Sequence, residues 1–69
     1  MSEHVYRVVE IVGSSSTGLS DAITNGIDRA GKTLDNLDWF EVSQIRGHIA
    51  DQQVAHYQVT MKVGFTLRD

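Results

Sequence analysis

The sequence predicts an α+β domain in the order β-α-β-β, with one helix packed on a three-stranded antiparallel sheet. Residues 55–68 alternate apolar and polar side chains without a break, and residues 19–37 repeat their apolar positions with a helical period. The length, 69 residues, leaves room for one domain spanning 1–69.

The first strand runs from His4 to Val12, rich in Val and Ile, and ends at the loop G-S-S-S-T-G. Val9 and Ile11 share a face with Arg7, and Val8 and Val12 share the other with Glu10, so either face can be the buried one. A strand apolar on both sides points to cover on both sides. The helix follows, from Leu19 to Leu37, with Leu19, Ala22, Ile23, Gly26, Ile27, Ala30, Leu34 and Leu37 on its packing side. Ser15 or Ser16 can cap its start by accepting a free amide of the first turn. Asp28 and Lys32 stand four apart, a helical pair worth roughly 0.3 kcal/mol. Gly26 weakens the helix by about 1 kcal/mol relative to Ala but lets it approach a sheet closely.

The last two strands are Trp39 to about Ala50 and Val54 to about Arg68, joined through D-Q-Q. The apolar parity of the former changes between Val42 and Ile45, which predicts a β-bulge near Ser43-Gln44. That bulge sets a register. The buried pairs are Ile49 with Ala55, Gly47 with Tyr57, Ile45 with Val59, Val42 with Met61 and Phe40 with Val63. The outer face then pairs His48 with His56, Arg46 with Gln58, Glu41 with Lys62 and Trp39 with Gly64. Trp39 opposite a glycine is expected to leave open space beside the indole.

Composition narrows the function. There is no Cys, which excludes disulfides and thiolate metal sites and fits a reducing compartment. A lone core in so short a chain is marginal, so self-assembly is the expected source of further stability. A net charge of −3 with 6 Lys and Arg against 9 Asp and Glu argues against nucleic acid as a partner. No apolar run approaches the ~18 residues of a membrane span, and M-S-E-H-V-Y-R lacks the features of a signal peptide. The expected setting is cytoplasmic, with no membrane partner.

No catalytic motif stands out, with neither G-x-S-x-G nor a P-loop pattern, and no enzyme activity is expected. G-S-S-S-T-G before a helix can serve as a phosphate loop or as a plain connector. His48 and His56 face each other without a third ligand of suitable type beside them, so no metal is expected. Trp39, on the outer face, reads either as an anchor for a protein contact or as a stacking platform for a flat aromatic ligand. The Gln58 amide suits the polar edge of a heterocycle, and Arg46 beside it suits a phosphate. With Gln44 and His48 on the same face, the candidate cofactor-binding residues are Trp39, Gln58, Arg46, Gln44 and His48. Gln58 lies six residues along its strand from Trp39's partner, about 20 Å at ~3.3 Å per residue. A ligand touching both therefore needs two subunits.

These residues resemble the dodecins, small flavin-binding proteins, over nearly the whole chain. The resemblance is carried by Y-R-V-V-E-I-V-G-S-S, T-L-D-N-L-D-W-F-E-V, I-R-G-H and Y-Q-V-T-M-K-V-G-F-T-L. It implies a sheet wrapped around the helix and twelve copies in a homo-dodecameric hollow shell. It implies paired flavins stacked between tryptophans of neighbouring subunits, with Trp39 as that tryptophan and Gln58 as the glutamine at the ring edge. FMN is the flavin it favours, with riboflavin or FAD as other candidates. The implied role is storage and buffering of flavin with quenching of its photochemistry. Some relatives also bind coenzyme A. Arg46 matches a basic residue linked to phosphate-bearing ligands, but Thr66 stands where some relatives carry a second arginine. The alternative function is a coenzyme A-binding or purely structural shell protein.

Overall fold

A computed structural model describes residues 3–68. The elements are β1 (Tyr6–Ser15), α1 (Leu19–Ala30), β2 (Leu37–Ala50) and β3 (Gln53–Thr66). They form one antiparallel sheet in the order β1-β3-β2, so β3 is central and pairs with both neighbours. This is the α+β, β-α-β-β arrangement expected from the sequence. Among the described residues no helix is long and apolar enough to cross a membrane.

The hairpin register follows the expected one along most of its length. Phe40 pairs with Val63, Val42 with Met61, Ile45 with Val59 and Gly47 with Tyr57, with a register shift between Val42 and Gln44. Ser43 is the extra residue, and its hydroxyl donates to the Thr60 carbonyl at 3.2 Å. Near the turn the expectation fails, because Ile49 pairs with Val54 rather than Ala55. The cause is a two-residue turn, Asp51-Gln52, with both φ values positive at 53° and 66°. Gln53 then belongs to β3, and Ala55 becomes an unpaired extra residue beside His56.

The helix is shorter than its apolar period suggested. It ends at Ala30, and Gly31 donates its amide back to the Ile27 carbonyl at 2.9 Å. Lys32 and Thr33 close turns onto Arg29 and Ala30, and Asn36, at φ 63°, turns the chain into β2. A left-handed asparagine turns the chain away from a pattern that Leu34 and Leu37 continue only in sequence. Leu37 still reaches the core, but from β2. Lys32, beyond the helix end, does not form the expected helical pair with Asp28.

The helix start also differs from expectation. Gly18 occupies the N-cap position without a side-chain cap. The Ser15 hydroxyl instead accepts the loop amides of Thr17 and Gly18 and donates to the Asp21 carboxylate at 3.0 Å. Thr17 donates to the same carboxylate at 3.0 Å. A carboxylate in the first helical turn is favoured by the positive end of the helix dipole. The G-S-S-S-T-G loop is thus closed on its own acid, a connector rather than an open anion cradle.

The core is small: Ala22, Val59, Met61 and Val63, flanked by Val9, Ile11, Ile23, Ile27 and Leu37. This settles which face of β1 is buried, since Val9 and Ile11 pack inward while Val8 and Val12 stay exposed. The helix lies over β1 and β3, where two glycines permit the approach. A Cβ on Gly13 would strike the Ala22 carbonyl, and one on Gly26 would sit 3.3 Å from the Gly13 Cα. β2 lies beyond this cover, and its apolar residues Phe40, Ile45 and Ile49 remain 48%, 57% and 68% exposed.

Candidate functional site

The outer face of the sheet gathers the candidate residues into two clusters. The register sets Trp39 opposite Gly64, Gln44 opposite Thr60, Arg46 opposite Gln58 and His48 opposite His56. Trp39 anchors one cluster, and Arg46, Gln58 and His48 form the other, six β3 residues away. At ~3.3 Å per residue the separation is roughly 20 Å. The chain, only 14 Å across its thinnest axis and 56 Å along its longest, spreads the two clusters along its length. Gln44 lies between them.

The Trp39 end departs from the expectation of open space above Gly64. The indole itself fills that space. A Cβ on Gly64 would fall among the ring atoms Cε2, Cζ2 and Nε1, the last only 2.7 Å away. With no side chain opposite, the ring leans across the strand onto the glycine, which is buried beneath it. Trp39 is still 40% exposed. The glycine is therefore a seat that fixes the indole while leaving part of it free. Tyr6 meets the indole edge-on, with ring centroids 6.5 Å apart and planes at 62°, an arrangement that the ring quadrupoles favour. A pocket of about 130 Å³ beside the indole, lined by Ile27, Leu37, Asp38, Phe40 and Val63, is smaller than the ~300 Å³ at which ligand pockets begin.

Tyr6 was not among the residues singled out from sequence. The signal lies in the pairing of β1 with β3, which places Tyr6 opposite Thr66 and Val8 opposite Gly64. The mixed polarity of β1 hides that pairing. Asp38, without an assigned role in the sequence, accepts a hydrogen bond from the Thr66 hydroxyl at 3.0 Å. The two residues tie the start of β2 to the end of β3.

At the other end, Arg46 Nε donates to Gln58 Oε1 at 2.9 Å. This bond orients the amide. Its carbonyl is occupied, so Gln58 presents its NH₂ group, with two donors, to anything placed on the sheet. The terminal nitrogens of Arg46 remain as donors of fixed fork geometry for an anion. Beyond them the His48 and His56 rings stack, with centroids 5.3 Å apart and planes at 21°. Among the described residues no three His, Cys, Asp or Glu side chains come together as a metal site.

Together these features define a small α+β chain that offers a seated indole and an oriented amide on an open sheet face. The family model described as Dodecin matches residues 5–68. A Dodecin of Thermus thermophilus is 52% identical over 65 residues, covering 94% of both chains. The dodecin from Streptomyces davaonensis shares 60% identity at a TM-score of 0.95, covering 99% of this chain and 100% of its own. The dodecin from Streptomyces coelicolor shares 55% at 0.94, covering 100% of this chain and 99% of its own. The chain belongs to the dodecin family.

Proposed function

We propose that this protein is a flavin-sequestering shell, a homo-dodecamer that stores FMN or a related flavin (riboflavin or FAD) rather than turning over a substrate. The observation that carries the reading is the indole of Trp39, seated on Gly64 and still exposed. A seated ring has lost most of its rotational freedom before a ligand arrives, so stacking on it costs little further entropy. Gln58 donates to a carbonyl at the edge of a bound heterocycle, and Arg46 holds the amide in that orientation. Arg46 also offers a charge-assisted contact to a phosphate. Gln44 and His48 line the same face and complete the cofactor-binding set with Trp39, Gln58 and Arg46.

Because the two clusters are roughly 20 Å apart, one flavin takes its indole from one copy and its amide from another. The uncovered apolar side of β2 supplies surface for that assembly. Stacking places an electron-rich indole against the excited flavin. The indole gives an electron and recovers it as the pair relaxes, which ends the excited state without a catalytic residue.

A flavin covered on both faces has no room for a substrate over its ring, which favours storage over catalysis. Coenzyme A is the weaker ligand candidate, because Thr66 is neutral and committed to Asp38.

Fluorescence titration of FMN with the flavin-free protein tests the function. Quenched emission with wild-type protein, and restored emission with Trp39→Ala, is the expected result. FMN emission unchanged by saturating wild-type protein would sink the proposal.

A further inference from the structure

His48 and His56 form a second feature on the outer face that the flavin reading leaves largely unexplained. They are direct cross-strand partners, and their rings lie nearly parallel with centroids 5.3 Å apart. Strand pairing holds them together, and because an imidazole lone pair lies in its ring plane, the stacked rings turn about their side-chain torsions to aim one nitrogen each at a shared ion. His48 is exposed and His56 half-buried, which keeps the pair open to a small solute. The extra residue Ala55 falls directly beside His56. Bulges of this kind re-aim the neighbouring side chain. Among the described residues, neither imidazole takes part in a side-chain hydrogen bond, so their nitrogens are uncommitted.

We propose that His48 and His56 form a two-imidazole site for a borderline transition-metal ion, such as Cu²⁺, Ni²⁺ or Zn²⁺. Neutral imidazole is a preferred ligand for these ions and a poor one for Mg²⁺ or Ca²⁺, which select oxygen. No third His, Cys, Asp or Glu among the described residues completes the set. The pair therefore supplies two positions and leaves the rest to water or an added ligand. By the usual order of divalent affinities, Cu²⁺ binds more tightly than Ni²⁺ or Zn²⁺. The site rests on strand pairing rather than on the proposed function, and because His48 also belongs to the proposed flavin-binding set, its test uses flavin-free protein.

Calorimetric titration of the flavin-free oligomer with Cu²⁺ tests the site. Linking two weak contacts in one rigid frame raises affinity by about 100-fold over either alone. His48→Ala and His56→Ala are each expected to weaken binding by about that factor. His4→Ala, far from the pair, is expected to leave affinity unchanged. Electron paramagnetic resonance of the copper-loaded wild type should show coupling to two imidazole nitrogens, falling to one in either variant. Neither histidine belongs to the helix-covered core, so oligomer size and circular dichroism are expected to match wild type in both variants. Wild-type affinity in both variants, or the main loss in His4→Ala, would overturn the proposal. So would coupling to a single nitrogen in the wild type.

Discussion

The two sides of the sheet differ in how they are stabilised. β1 and β3 lie beneath the helix and bury Val59, Met61 and Val63 almost completely. β2 hydrogen-bonds to β3 along its length, yet no residue of it is fully buried. Its inward-facing Phe40, Val42, Ile45 and Ile49 are left largely uncovered within the chain. The covered half holds a fold that one chain can define. The uncovered half carries Trp39, Arg46 and an exposed apolar surface. The candidate site and the proposed assembly surface thus share one strand.

Replacing Ile45 by Asp should break that division most sharply. Its side chain is 57% exposed in one chain, so the charge disturbs little there. In an assembly the same charge is buried unpaired, at a cost of several kcal/mol. Size-exclusion chromatography is expected to show small species with native β-sheet content and no flavin binding. A full-sized oligomer from Ile45→Asp would remove β2 from the interface.

Trp39→Ala removes the stacking surface but leaves the helix-covered core intact. Loss of one aromatic platform costs about 2 kcal/mol, roughly 30-fold in flavin affinity, readable by fluorescence titration. Trp39→Phe keeps a flat face with a poorer electron donor, so binding should outlast quenching.

The covered half responds to glycine substitutions instead. Gly13→Ala drives a methyl into the Ala22 carbonyl, a backbone atom that cannot step aside. A loss of about 2–3 kcal/mol is expected by denaturant titration. Gly26→Ala meets the flexible end of Met61 at 2.9 Å and gains helix propensity, so its loss should be smaller. Equal losses would refute the close crossing at Gly13. The smallest effect is expected at the hairpin turn, where Gln52→Gly relieves a left-handed residue. A gain of up to about 1 kcal/mol is expected, partly offset by the freer unfolded chain.

The sequence made the hairpin legible because its register rests on parity. The single break between Val42 and Ile45 located the Ser43 bulge and set Trp39 on Gly64. The turn-proximal pairs were not legible, since nothing in D-Q-Q marks two left-handed residues in the absence of glycine. Helix length was misread because Leu34 and Leu37 continue a period that the backbone leaves at Ala30. The partner of β1 was hidden by apolar residues on both of its faces, and Tyr6 with it. At the candidate site, residue types were legible, but their commitments to one another were not. Arg46 holding the Gln58 carbonyl and the indole filling the space above Gly64 are choices among rotamers, which alternation does not encode.

The proposed composite flavin site is tested most directly by native mass spectrometry of the oligomer supplied with FMN. Twelve 7.7 kDa chains carrying one flavin each, with none on smaller species, is the expected result. A monomer that holds FMN tightly, or a twelve-chain shell that holds none, would contradict it.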